Sequence, residues 1–340
     1  AREAGDARVL PYVLRDYFHA TWSADTLANR RRCASEMAEL AERIDDPLAR
    51  IWALDRSVHV AIEAGRMGEA EEALKQLLAL TEELGQPGLR WHATYFASGL
   101  AQQRGALAEA GRLAEEAAKL GERAGEPDTA MIYFGQLCAI RVAEGRAEEI
   151  VGILEGATEA NPGIPGFEAA LAAVLCDVER DAEAAPRLER AAQAGFADVP
   201  RDQVYLTALA LWARTAADVG SQRAAGPLYE LIEPWRDQLV WNGASGYGSA
   251  EAYLGMLAST LGSHERAHEH FRLASRVHER EAVKGWEAQN LCYWARSQLA
   301  SGAAREGRET ADRARALARE NGYGFSAHQA EALLQATPAA

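Results

Sequence analysis

Apolar residues recur along this chain every three or four positions, as in Ala70, Ala73, Leu74, Leu77 and Leu78, or Ala267, Phe271, Ala274 and Val277. That period places them on one face of an α-helix, and the strict alternation of a half-buried strand is nearly absent. The helical stretches are punctuated at Ala64-Gly65-Arg66, Arg104-Gly105-Ala106, Glu144-Gly145-Arg146, Glu179-Arg180-Asp181, Val219-Gly220-Ser221, Leu261-Gly262-Ser263 and Ser301-Gly302-Ala303. Taking the middle residue of each as the turn anchor gives spacings of 40, 40, 35, 40, 42 and 40 residues. Five residues after each anchor stands a mostly small residue: Ala70, Ala110, Ile150, Ala185, Ala225, Ala267 and Gly307. Seven residues before it stands another: Val58, Ser98, Cys138, Ala173, Ala213, Gly255 and Ala295. Two helices of a hairpin approach closely only where the facing side chains are small, so these positions mark the crossing points. Twelve past the anchor, Leu77, Ala117, Ala157, Ala192, Ile232, Ala274 and Ala314 fall where one hairpin must meet the next.

Breakers separate the hairpins at Pro47, Pro87, Pro127, the turn from Asn161 through Pro162, Gly163, Ile164 and Pro165 to Gly166, Pro200, and the loop from Gly243 to Gly248, read as a hinge or inter-repeat turn. Pro186 and Pro227 are expected in a first helical turn, where proline is tolerated, and Pro234 is expected to kink or end its helix. The pattern predicts an all-α chain, a right-handed superhelix or α-solenoid of about seven helix-turn-helix repeats of about 40 residues. Residues 1–45 are expected to form an N-terminal capping helix pair. Repeats are expected over about 46–86, 87–126, 127–163, 164–199, 200–242, 243–283 and 284–322, with a C-terminal helix or tail at 323–340.

The small-residue pattern resembles the tetratricopeptide repeat (TPR), with helices stretched beyond the usual unit of about 34 residues. A narrower resemblance is carried by the segment Thr21 to Arg30 (TWSADTLANR), the junction Glu83 to Trp91 (ELGQPGLRW), the turn Ala160 to Pro165 (ANPGIP), and Tyr253 to Ala258 (YLGMLA) followed by Leu261-Gly262. These look like the helical repeat region of large bacterial signalling ATPases. In that family an ATPase module precedes the repeats, and the chain also carries a class III cyclase domain or a LuxR-type helix-turn-helix. The resemblance implies a non-catalytic sensor or scaffold whose concave groove binds a protein, peptide or small effector, coupled to attached ATPase and output domains. It further implies that TPR groove positions fall on Trp52, Asp55, His59, His92, Tyr95, Gln102, Asp177, Arg214, Ser249, Met256, Ser259, Gln289 and Arg296. Packing between helices is the alternative role for Trp52 and Tyr95, and pairing with a neighbouring carboxylate the alternative for Arg214 and Arg296.

Composition narrows the partners. The 340 residues hold 36 Lys and Arg against 50 Asp and Glu, a net charge of −14 at pH 7, so the average surface repels nucleic-acid phosphates. The four cysteines, Cys33, Cys138, Cys176 and Cys292, form no CxxC pair and read as reduced core thiols of a cytoplasmic protein. No apolar run approaches the ~18 residues of a membrane span, and no signal peptide is evident. The chain begins at Ala1 with its first Met at position 37, so a piece of a longer protein is expected.

One motif points to metal chemistry: His264-Glu265-Arg266-Ala267-His268 is a literal HExxH, with His270 following and Glu287 where a third ligand would be sought. Against a zinc peptidase, Ala267 occupies the small position of the sixth repeat, so the motif is in register with non-catalytic copies such as Gly68-Glu69-Ala70-Glu71. Its histidines are expected on a solvated first turn. There is no GxxxxGK[ST] phosphate loop, no GxSxG elbow, and the glycines of 243–248 have the wrong spacing for a dinucleotide. No catalytic residue, metal or cofactor is therefore expected in this chain. A passive assembly scaffold, self-associating into a homo-oligomer, is the alternative to the sensor.

Overall fold

The structure, a computed structural model, describes residues 8–337. The chain is an all-α, TPR-like solenoid. Residues 1–7 of the expected cap and 338–340 of the expected tail lie outside the described residues.

Two helices, α1 (Leu10–Ala20) and α2 (Leu27–Ile44), precede the repeats. Seven antiparallel hairpins follow, α3 (Pro47–Glu63) with α4 (Met67–Leu84), α5 (Pro87–Arg104) with α6 (Leu107–Ala124), α7 (Thr129–Ala143) with α8 (Glu148–Ala160), and α9 (Pro165–Asp177) with α10 (Asp181–Gln193). The series continues with α11 (Tyr205–Asp218) and α12 (Gln222–Ile232), α13 (Ala250–Thr260) and α14 (His264–Arg280), and α15 (Lys284–Ala300) and α16 (Ala304–Asn321), closed by α17 (Gly324–Ala336). Pro47, Pro87 and Pro165 each open a helix, where the missing N–H is not needed. At the first of these, Asp46 also caps the helix by accepting from the amides of Leu48 and Ala49.

The hairpin turns need one residue in the left-handed region, and glycine supplies it at Gly65, Gly105, Gly145, Gly220, Gly262 and Gly302, with φ between 63° and 86°. In the fourth repeat Glu179 takes that conformation at φ 60°. The anchor there is therefore residue 179 and not Arg180. The crossing residue moves with it: Ala184 is fully buried in α10 while Ala185 is only partly so.

The small positions do what close packing requires. Ala70, Ala110, Ala213, Ala225 and Ala267 are fully buried, and Ser98 Oγ donates across its hairpin to the Ala110 carbonyl at 2.8 Å. A Cβ on Gly255 would lie 2.7 Å from the Phe271 ring. The third repeat departs from this rule. It opposes Cys138 to Ile150, and α7 and α8 touch less than the helices of any other hairpin. As a result α7, almost wholly apolar, leaves Met131 54% exposed and Phe134, Cys138 and Val142 half-buried.

Pro186 and Pro227 stand at the sixth position of α10 and α12, one turn later than expected, and the carbonyls they leave unbonded belong to solvent-facing Ala182 and Arg223. Pro234 follows the end of α12 and lies in a short 3-10 turn, Glu233–Trp235.

The loop read as a hinge is a β-hairpin. Strand β1 (Leu239–Trp241) pairs antiparallel with β2 (Gly246–Ser249), with Leu239 opposite Ser249 and Trp241 opposite Gly246. Its tip turns on Asn242, whose side-chain oxygen accepts from the amides of Ala244 and Ser245, and on Gly243 at φ 95°. The hairpin folds into the axis of the superhelix, where Leu239, Val240 and Trp241 are at most 3% exposed. The last repeats then close onto the first. Glu281 accepts from the Met67 amide at the start of α4 at 2.8 Å, Arg104 donates to the Glu281 carbonyl, and Tyr323 packs over Gly105.

The crossing constraint predicts opposite signs for two substitutions at glycines. Gly255→Val should lower stability by about 1–3 kcal/mol through overpacking against Phe271. Gly152→Ala, with nothing within 4 Å of the new Cβ, should raise it by about 0.5–1 kcal/mol. Urea titration of the two variants checks both signs.

Candidate functional site

Of the residues expected in the groove, His59 and Gln102 bond the chain's own β-hairpin and Ser249 belongs to it. His59 (α3) accepts from the Trp241 indole at Nδ1, 3.0 Å away. Gln102 (α5) exchanges two hydrogen bonds with the Gly246 backbone, donating to its carbonyl at 3.1 Å and accepting from its amide at 3.2 Å. Gln136 (α7) donates to the carbonyls of Ala244 and Tyr95, and the Ser249 amide donates to His278 Nε2 at 3.0 Å. Gly99 permits this docking, since a Cβ there would come within 2.4 Å of the Ala244 carbonyl oxygen. Ser249 is thus the end of β2 and the N-cap of α13, where its hydroxyl accepts from the Glu251 amide.

The remaining expected residues divide into four places. Trp52, Asp55, His92 and Tyr95 form an aromatic and histidine cluster around α3 and α5. Asp55 pairs with Arg56 at 2.7 Å and lies 3.6 Å from His92, which bonds the Tyr95 hydroxyl at 3.2 Å. The Trp52 ring meets His92 edge-on and lies under the Arg15 guanidinium. Met256 is core at 1% exposure, and Ser259 is half-buried beyond it on α13. Arg296 (α15) is held by Asp218 at 3.1 Å and by the Ala217 carbonyl, over the Tyr293 ring. Arg214, paired with Asp177, and Gln289 line the fourth place, beside the splayed α7.

There a cleft of about 60 Å³ is walled by seven elements. Its body is apolar, with Cys138, Ala139 and Val142 from α7, Leu154 from α8, Val174 from α9, Leu211 from α11 and Trp286 from α15. Its polar groups are few: Arg214, Gln289, Tyr247 on β2 and Tyr253 on α13. A second cavity of about 40 Å³ shares the wall of Ala139, Val142, Trp286 and Gln289 and reaches Gln102, Tyr323 and Phe325. An apolar hollow with a small number of convergent polar groups is what small-ligand sites are made of.

The polar groups are incompletely satisfied. Arg214 donates through Nη2 to Asp177 at 2.8 Å, while its Nε and the second carboxylate oxygen of Asp177 have no partner. Gln289, 6% exposed, lines the cleft beside it. Each buried group without a partner costs about 1–3 kcal/mol relative to a bonded one. Burial pushes the Asp177 carboxyl up to about 7, against the pull of Arg214. Burial likewise pushes the Cys138 thiol up to about 12, so it is not a thiolate at neutral pH. Cys138, Cys176 and Cys292 are free thiols.

The HExxH segment does not converge on a common point. His264 Nδ1 meets Ser297 Oγ at 3.1 Å, and Glu265 is exposed. His270 is bound between Glu251 and Tyr229, and Glu287 bonds Ser275 and His278. Both His264 and His268 are half-buried against α15, not on a solvated turn. Among the described residues no group of three or more His, Cys, Asp or Glu could hold a metal ion, and no helix is long and apolar enough to cross a membrane.

Tyr247, Tyr253, Trp286 and the hairpin itself escaped sequence reasoning. A signal for the hairpin was present: Leu239-Val240-Trp241 ahead of Asn242-Gly243 is a short β-forming run before the commonest turn dipeptide.

No family model matches the sequence, and no curated protein matches it. Among solved structures it is similar to a Rap protein crystallised in complex with competence and sporulation factor, at 11% identity and a TM-score of 0.49 over 96% of this chain and 87% of that one. It is also similar to a circular tandem repeat protein with a novel repeat topology and enhanced subunit contact surfaces, at 14% identity and a TM-score of 0.18 over 97% of this chain and 96% of that one.

The His59 contact gives an acid dependence with a definite sign. An indole can only donate, so His59 Nδ1 must accept and the ring must be neutral, with its proton on Nε2. Burial, with Arg56 and Arg30 adding to it, holds this imidazole well below its ordinary range. The unfolded chain takes up the proton first, so stability is complete above pH ~6.5 and falls as pH drops from there toward the folded value. Urea midpoints measured from pH 7.5 to 5 should decline below ~6.5, and His59→Phe should be less stable at pH 7.5 but show a shallower decline.

Proposed function

We propose that this chain is the effector-sensing repeat region of a multidomain bacterial regulator, a non-catalytic scaffold whose ligand occupies the cleft beside α7. The observation that carries the reading is the cleft itself, where walls from α7 to α15 meet around two buried polar side chains, Arg214 and Gln289, the first incompletely bonded. The chain's own β-hairpin fills much of the axis, so the reading favours a compact effector or a single inserted side chain over a long peptide laid along the groove. A ligand in this position touches residues more than a hundred positions apart in sequence and would favour one winding of the superhelix over another. The attached ATPase and its cyclase or DNA-binding output are supplied by the family resemblance of the TWSADTLANR and ELGQPGLRW segments.

Native mass spectrometry of the purified protein at low activation energy, beside a denatured control, tests the site. A non-covalent adduct is expected, and Val174→Trp, which fills the cleft, should abolish it with the circular dichroism unchanged. A bare wild-type protein whose melting temperature is moved by no small apolar probe would overturn the reading.

A further inference from the structure

The two polar side chains facing the cleft differ in what they offer a ligand, and the difference defines its chemistry. Arg214 is 6% exposed and spends one hydrogen bond on Asp177, leaving Nε unpartnered. A guanidinium carries five donors and no acceptor, so its spare capacity suits an oxygen anion. Gln289 is equally buried and lines both cavities, so its side-chain amide can donate to the same anion. Around them Val174, Leu211 and Trp286 leave room for only a compact apolar body in about 60 Å³.

We propose that the cleft receives a small monocarboxylate with a compact apolar body, its carboxylate paired with Arg214 and hydrogen-bonded by Gln289; this rests on the reading of the cleft as the ligand site. The shared chemistry is a carboxylate on a branched or aromatic stub, whether it comes from a free acid or from the C-terminal residue of a peptide.

The counter-charge supports this assignment. Asp177 competes for the same guanidinium, and burial raises its carboxyl to about 7. When a ligand carboxylate arrives, Asp177 takes up one proton from solution, and the two carboxyl groups then share Arg214 without facing each other as anions. The other ionisable groups around the pair are Asp218 on α11, which bonds Tyr293 and Arg296, Tyr253 on α13, and Cys176 beside Asp177 on α9. Burial raises both Tyr253 and Cys176 above their ordinary values, so neither ionises near neutral pH. Asp177 is therefore the group whose titration binding should report.

Calorimetry with isovalerate, benzoate and acetyl-valine, against isovaleramide as the uncharged isostere, tests the proposal. At least one of the acids should bind at least tenfold more tightly than the amide, and more weakly as pH rises from 6.5 to 8.5. Asp177→Asn should tighten it severalfold and remove that pH dependence, and Gln289→Leu should weaken it. Binding of isovalerate or benzoate indicates a free acid as the source, and binding of acetyl-valine alone indicates a peptide terminus. If isovaleramide binds as well as the acids, the site stands and the carboxylate assignment falls. If neither acids nor amide bind and the purified protein is bare in native mass spectrometry, the ligand-site reading falls with it. Should Asp177→Asn fail to fold, the wild-type pH profile carries the same decision.

Discussion

The close crossing of paired helices is the constraint on which the rest of this molecule depends. A hairpin packs most closely where both residues at its crossing are small, as in five of the seven hairpins here, with pairs such as Ala213 and Ala225 or Gly255 and Ala267, and the first sets Val58 against Ala70. The third opposes Cys138 to Ile150, and the added bulk keeps α7 off α8. That misfit lies at the middle of the solenoid, where the walls of the cleft converge. A break in the repeat pattern is therefore also the opening through which the axis can be reached.

The hairpin Leu239–Ser249 accounts for the other half of the architecture. A solenoid ordinarily contacts only its sequence neighbours, so its stability is the sum of adjacent interfaces. Here an insertion between α12 and α13 is gripped by His59, Gln102 and Gln136 from the first three repeats and by His278 from the sixth. The turn at Glu281 is clipped to α4, and Tyr323 covers Gly105. Distant repeats are thus tied directly to one another, and a change in winding at one point must be shared by the whole ring. The two side-chain amides and two imidazoles that hold the hairpin are specific but not apolar, which makes the grip dependent on polar contacts in a way that aliphatic packing is not.

Much of this was legible in the sequence because helical periodicity and turn glycines are local signals. The hairpin phase followed from Gly65, Gly105, Gly145, Gly220, Gly262 and Gly302, each needed for a backbone conformation other residues resist. The phase slipped by one residue at Glu179 because no glycine marked the turn. The hairpin was missed for a different reason. Its strands are only three and four residues long, and a helical frame on both sides makes so short a β-run look like a linker despite Asn242-Gly243. Groove positions could be transferred only as far as the concave surface. Whether a groove residue meets solvent, the chain itself or a cavity is decided by what the insertion fills, so His59 and Gln102 became clamps while Arg214 and Gln289 were left facing space.

This distribution of satisfied and unsatisfied groups separates structure from function within a single surface. Where the insertion reaches, Gln102 bonds the Gly246 backbone twice and Gln136 bonds the Ala244 carbonyl, while the buried Gln103 amide beside Gly246 has no partner. Where it stops, the Arg214 Nε and one Asp177 oxygen are left without partners near an apolar wall. Replacing a buried ion pair with apolar groups of similar size is often neutral or stabilising, so stability alone gives no reason to keep Arg214 and Asp177 here. Their position beside the one splayed hairpin supplies another: a cation held by a carboxylate that gives up its charge near neutral pH is poised to exchange that partner for an incoming one. Ring closure would then carry the exchange outward, because the helices bearing Arg214 and Gln289 belong to the same tied body as α3 and α4.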